Sequence, residues 1–256
     1  MPDQGRASCF GYVQTYDTKP KRRLYEVLKS QGMQANQQVT FLTDGGEDIR
    51  DLPCYLNPQA EHLLDWFHIT MRITVMTTMA KSLLPPPPGP DLELTAEEAT
   101  KLISEVRADL KRLKWFLWHG NVFRALNTVE GITIDLETLH PNDEPSDSQA
   151  KLLKAVREFD SYLRTNAARI PNYGERRRAG EAISTAFTES AVNQVISKRI
   201  VKKQQMRWSP TGAQLFLQVR TAVLNNDLAS CCHRWYPGFT HTTTTDALDD
   251  QLVAAA

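Results

Sequence analysis

No apolar run in this sequence approaches the ~18 residues that a membrane-crossing helix requires. The opening MPDQGRASCF has neither the basic start nor the apolar stretch of a secretory signal. The expectation is a cytoplasmic protein with no membrane partner. Cysteine is scarce: Cys9, Cys54, Cys231 and Cys232 are the four, and neither their number nor their spacing suits a secreted disulfide framework. Cys231, Cys232 and His233 adjoin, but zinc sites draw on a second ligand pair spaced by two or more residues, and none is near. An excess of one charge is missing too. With 30 basic and 30 acidic side chains, the overall balance gives no argument for a nucleic-acid partner, so any such argument must come from how the charge is distributed.

What is present is enough apolar material, 41% of 256 residues, to bury the core of one large domain or of one domain carrying an insertion. Residues 8–16, SCFGYVQTY, mix aromatic and β-branched side chains and read as a strand. From Pro20 to Met33 the period changes to that of an amphipathic helix through Leu24, Val27 and Leu28, with Gly32 as its stop. Residues 38–43, QVTFLT, read as a buried parallel strand ending in Asp44-Gly45-Gly46. A short helix follows over 48–56. HLLDWFHI then reads as a short strand feeding a helix that continues through Met71, Val75 and Met79.

PPPPGP at 85–90 is a stiff connector that no helix can cross. Beyond it the spacing predicts a helix over 95–118, opened by a capping box of Thr95 and Glu98 and carrying Leu102, Val106, Leu110 and Leu113 on one face. Further helices are expected over 121–139, 149–165, 188–206 and 210–225, with an arginine-rich loop at 173–180. Trp115, Phe116, Trp118 and Phe123 recur at helical spacing and read as core. Residues 240–256, polar and threonine-rich, read as a disordered tail.

Three features bear on chemistry: Asp44 at a strand end, the pair Asp65 and His68 in DWFH, and Glu189 at the start of a basic helix. Each has a plain structural reading: a turn residue before Gly-Gly, a local hydrogen-bonded pair, and an acid favoured by the helix dipole. In combination they suit another purpose. Phosphoryl transfer on DNA uses two divalent cations about 3.5–4 Å apart. Such hard ions take carboxylate oxygens, so acids must converge from separated parts of the chain. A strand-end acid and an acid on a helix packed across that strand have the required placement.

The strings QTYDTKPKRRLYEVLKSQGMQ, FLTDGGEDIRDL, LNPQAEHLLDWFHITMRITV, ESAVNQVISKR and KKQQMRWSPTGAQLFLQVRTAVLN, from about residue 8 to about 228, resemble the bacterial ISKra-type insertion-sequence DDE transposases. The resemblance implies an α/β fold: an RNase H-like domain lacking its first two strands and interrupted by a large all-helical insertion. Residues 8–84 would form the first part of the core, 85–180 the insertion and 181–239 the helices completing the core. Asp44 and Glu189 would be the second and third catalytic acids and the metal ligands for Mg2+ or Mn2+, two ions in a complete site. Asp65 and His68 would support the site as an Asp-x-x-His signature. The partners implied are DNA, both the element's ends and its target, and further copies of the protein assembled on it.

That family's domain opens with a strand bearing the first catalytic aspartate. Neither Asp3, in the polar leader, nor Asp17, beside a Lys-Pro turn, takes that place, so the expectation is a truncated or inactive copy that does not cut DNA alone. A basic stretch supports contact with phosphates. Arg176, Arg177, Arg178, Lys198, Arg199, Lys202, Lys203 and Arg207 outnumber Glu175, Glu181 and Glu189 locally, although a solvated helix face would look the same. Trp208 beside Arg207 reads either as a base-stacking residue or as a packed one. The competing functions are therefore a DDE enzyme, a non-catalytic DNA-binding or regulatory transposase fragment, and a helical scaffold. The scaffold leaves the TDGG strand end unexplained.

Overall fold

A computed structural model describes residues 8–13, 19–47, 50–85, 94–139, 146–186 and 208–238. The expected helix over 188–206, Pro86 to Pro90 of the connector and the 240–256 tail lie outside them, as do Glu189, Lys198, Arg199, Lys202, Lys203 and Arg207. The chain divides into two compact units, Lys21–Phe187 and a second made of its flanks, Met1–Pro20 and Thr188–Ala256. The architecture is mostly helical with a small parallel sheet, broadly α/β. No helix among the described residues is long and apolar enough to cross a membrane.

Helix α1 (Pro20–Ser30) ends where expected, with Gly32 in the left-handed region at φ +94°. Strand β1 (Thr40–Thr43) then pairs in parallel with β2 (Glu61–Leu64), Thr40 opposite Glu61 and Thr43 opposite Leu64. Parallel strands need a crossover, here a short helix α2 (Leu52–Leu56). Asn57, buried, holds its return: the side-chain N–H donates to the Gln37 carbonyl at 2.7 Å and Oδ1 accepts from Gln59 N at 2.8 Å. Between the strands, Thr43 Oγ1 and His62 Nε2 hydrogen-bond at 2.7 Å.

Helix α3 (Trp66–Lys81) starts one residue beyond β2. Its buried face is Ile69, Ile73, Met76 and Ala80, whereas Met71 and Val75, the positions that mark the helix in the sequence, are 45% and 48% exposed. The apolar residues of this helix are not confined to one face, so periodicity alone could not select the buried one. Helices α4 (Ala96–Trp118), α5 (Val122–Thr138) and α6 (Asp147–Asn166) follow. Each packs on the next, and α6 returns against α3, so α4, α5 and α6 close a ring of four with α3. The capping box of Thr95 and Glu98 is formed as expected. Its hydrogen bonds hold the Glu98 carboxyl below the usual range.

The core runs without a break from Leu64 through α3 to α6 and on to Ile170 and Tyr173. On α4 it is supplied by Ile103, Val106, Leu110, Leu113 and Leu117. Trp115 stands two residues from Leu113, about 200° round the helix. It is 58% exposed, and Phe123 is 73% exposed, so these two are surface and not core; Phe116 and Trp118 are partly buried against it. Arg107 reaches from α4 to the C-terminal end of α3, donating to the carbonyls of Ala80 at 3.0 Å and of Lys81 and Leu83 at 3.3 Å. Carbonyls left without intrahelical partners thus gain a cation, which their partial negative charge favours.

Residues 173–180 are not the expected loop. Asn172 caps a short helix α7 (Tyr173–Arg178), its side chain accepting from Glu175 N at 3.1 Å.

In the flanking unit, residues 8–13 form no strand. β-propensity needs a partner ladder to take effect, and here side-chain amides substitute for one. On helix α8 (Pro210–Leu224) and at its C-cap, Gln214 Oε1 accepts from Val13 N at 2.7 Å, while Asn225 accepts from Cys9 N at 2.7 Å and donates to its carbonyl at 2.9 Å. Trp208 packs on Phe216 with ring centroids 5.0 Å apart, the packed reading of that residue. Cys231 and Cys232 lie as free thiols on the last described helix, α9 (Leu228–Trp235).

Substituting the two neighbouring α4 positions separates core from surface. Leu113→Ala is expected to cost about 2–5 kcal/mol in denaturant unfolding through the cavity it leaves, and Trp115→Ala less than about 1 kcal/mol. Equal losses would place Trp115 in the core after all.

Candidate functional site

Asp44 and Asp65 each follow the last residue of one of two adjacent parallel strands, and the Asp65 N–H donates to the Thr43 carbonyl at 2.8 Å. The two acids therefore stand side by side at the carboxyl edge of the sheet, where α/β folds place their ligands. Their surroundings differ sharply. Asp44 is exposed, and among the described residues its carboxylate meets one donor, the Gly46 N–H at 2.9 Å on Oδ1. That is the turn geometry expected of Asp before Gly-Gly, and it leaves Oδ2 open. Asp65 is 0% exposed and fully engaged. Its Oδ1 accepts from Phe67 N and Thr185 N, both at 3.0 Å, and its Oδ2 accepts from the Thr185 hydroxyl and from His68 Nδ1, the latter at 2.7 Å.

Asp65 is thus the N-cap of α3, which the helix dipole favours. At the same time it clamps residues 183–186 to that helix, a grip reinforced by Trp66 N donating to the Ile183 carbonyl at 3.1 Å. The His68 ring is oriented by the same carboxylate. The strand edge is also held from the far side of the core, where the Tyr173 hydroxyl, fully buried, donates to the Leu64 carbonyl at 2.8 Å.

A further set of groups, which nothing in the local sequence marks, fixes the Asp44 loop. From the C-terminal end of α6, the Tyr162 hydroxyl donates to the Asp44 carbonyl at 2.9 Å. Asn166 Nδ2 donates to the Tyr162 carbonyl at 3.0 Å and lies 3.5 Å from the Gly45 carbonyl. The Arg72 guanidinium stacks over the Tyr162 ring, 4.3 Å from its centroid. Burial pushes the Tyr162 hydroxyl up to about 12, with Asp44 and Asp65 adding to the shift and Arg72 opposing it. Tyr162 therefore remains a donor through the physiological range. Gly45 is required here twice over: its φ is +82°, and an added Cβ would lie 2.7 Å from Leu64 Cδ1 and 2.9 Å from Asn166 Nδ2.

Comparison with family models, with curated proteins and with solved structures finds no match for this chain.

An exposed strand-end carboxylate with an open oxygen suits a hard divalent cation, so Asp44 fits a metal ligand. Asp65, whose lone pairs are already taken by four donors, does not. Among the described residues no group of three His, Cys, Asp or Glu side chains could hold an ion. Of the basic residues, Arg176 is committed: its guanidinium pairs with Glu61 and, at 2.6 Å, with Glu181, and it is mostly buried. Arg177 and Arg178 are exposed and make no ion pair among the described residues.

Removing the Asp65 carboxylate strands several donors at once. Asp65→Ala is expected to cost about 3–5 kcal/mol, and Thr185→Val about 1–2 kcal/mol, both read by chemical unfolding; a loss under 1 kcal/mol for Asp65→Ala would refute the clamp. The raised Tyr162 pKa gives a sign at alkaline pH. Its contribution is complete below pH 10 and is lost as pH rises through about 12. Stability measured across that window should fall less steeply in Tyr162→Phe than in the wild type.

Proposed function

We propose that this chain is the RNase H-like catalytic core of a DDE transposase, with a helical insertion, in which Asp44 and Glu189 are two of the acids that hold Mg2+ or Mn2+ against DNA. The observation that carries the reading is the contrast at the sheet edge. Asp44 ends a parallel strand with an open carboxylate oxygen, held in place by Tyr162 and Asn166 through its own backbone and that of Gly45. Asp65 and His68 beside it are tied into the fold.

When bound, the metal pair supplies activation of the attacking oxygen and stabilisation of the leaving one. The chain's own residues orient Asp44, exclude Asp65 from ligation, and offer Arg177 and Arg178 to phosphates. DNA is the partner in this reading, with further copies of the protein joining on it. No residue before Asp44 is assigned as a bridging first acid, so the reading extends to a copy that binds metal and DNA but does not cut.

Two measurements test it on the full chain. Manganese titration should show one ion held weakly, with affinity falling by about tenfold or more in Asp44→Ala and in Glu189→Ala, since even residues behind a ligand are worth that much. The thermal midpoint of the exposed Asp44 variant should stay put. Unchanged affinity in both variants would remove the metal assignment. Duplex DNA binding should weaken steeply with salt, and the double change Arg177→Gln, Arg178→Gln should lower the slope of log K against log salt by about two. Magnesium-dependent cutting by wild type and by Asp44→Ala alike would mean that other acids form the site.

A further inference from the structure

Among the six residues Trp66, Lys111, Lys114, Trp115, Trp118 and Arg177 lies a groove of about 440 Å³, within the ~300–1,000 Å³ range of small-ligand sites. Lys111, Lys114, Trp115 and Trp118 fall at helical spacing on α4, on a face separate from the leucine stripe that enters the core. Trp66 and Trp118 meet edge to face at 5.1 Å, and Trp66 rests on buried Tyr173 at 4.8 Å, so the floor is fixed. Trp115 rises beside it, 58% exposed, and is braced by the His119 ring at 4.5 Å and by Phe116 at 5.6 Å.

The three cations on the groove are exposed and make no ion pair among the described residues. No acid lines it. A salt-bridged helix surface would offer Lys111 and Lys114 partners at i±3 or i±4, as Asp109 does for Arg112. A hydrophobic protein interface would be depleted of lysine. Indole faces flanked by unpaired cations favour a ligand with both a flat π-system and negative charge, which describes an unpaired nucleotide. Trp66, which lines the groove, directly follows Asp65 in the chain as the first residue of α3.

We infer that this groove binds unpaired deoxynucleotides, with a base stacked on Trp115 and phosphates met by Lys111, Lys114 and Arg177. The choice of DNA rests on the proposed function. The groove's preference for a flat anionic ligand stands on its indoles and on cations that make no ion pair among the described residues.

The test is fluorescence anisotropy of a labelled oligothymidylate with the full chain, set against the same length of duplex and against an acidic peptide. Trp115→Ala should weaken oligothymidylate binding about tenfold per stacked base lost, with duplex binding unchanged, and Trp115→Phe should keep most of the affinity. Lys111→Gln with Lys114→Gln should reduce its salt dependence, and circular dichroism should show both variants folded. Wild-type affinity for oligothymidylate in Trp115→Ala, or tighter binding of the acidic peptide than of the oligonucleotide, would overturn the inference. Neither result touches manganese binding at Asp44, so the groove can fail while the transposase reading stands, and the reverse.

Discussion

The burial of one carboxylate constrains the rest of this structure. Asp65 lies at the junction of β2 and α3, shut off from solvent. A carboxylate there is tolerable only if donors surround it, because an unpaired charge in the interior is far more costly than any single hydrogen bond is favourable. The chain meets that demand with a helix N-terminus, an imidazole and a segment more than a hundred residues downstream. Satisfying the carboxylate therefore requires β2, α3 and residues 183–186 to be in place together. That is why two strands of four residues each can persist: they are one arm of a larger junction, braced below by the buried Tyr173 hydroxyl.

The second organising fact is that the helices α4 to α6 are not an appendage. Three helices cannot bury all their apolar faces against one another as well as four can, and the fourth here is α3, which belongs to the sheet portion. The shared core carries the end of α6 down to the strand edge, where Tyr162 and Asn166 take hold of the Asp44–Gly45 backbone. Position of the exposed acid is thus a property of packing some distance away. Rigidity at the strand end follows from the bundle and not from the four-residue strand.

Local rules were legible in the sequence where a single element suffices to satisfy them. Thr95 with Glu98, Gly32 after α1 and the Asp44-Gly45-Gly46 turn depend on neighbours within a few residues, and they are found as expected. The strand-then-helix reading of HLLDWFHI holds for the same reason. What failed depended on a distant partner or its lack. Residues 8–13 have strand-forming side chains but are met by the amides of Gln214 and Asn225 in place of a ladder. Met71 and Val75 have the right period on the wrong face of a helix whose apolar residues are not confined to one side. Trp115 has core chemistry on a face that the leucines left outside. Of the site, Asp44, Asp65 and His68 could be picked out from spacing, whereas Tyr162, Asn166 and Thr185 carry no local signal: they matter only through contacts made more than a hundred positions away.

The hold of α6 on the Asp44 loop bears on how such a chain can diverge. A crossover that exchanged the helical stretch as a cassette would keep each half's own folding signals and still break the match between the Tyr162 hydroxyl and the Asp44 carbonyl, and between Asn166 and the glycine that leaves it room. Halves from distant parents would yield folded hybrids with a displaced strand-end acid. The helices and the strand edge are in this sense one heritable unit, and chimeras built at the polyproline connector should be paired by their residues at 44–46, 162 and 166 rather than by the connector's own sequence.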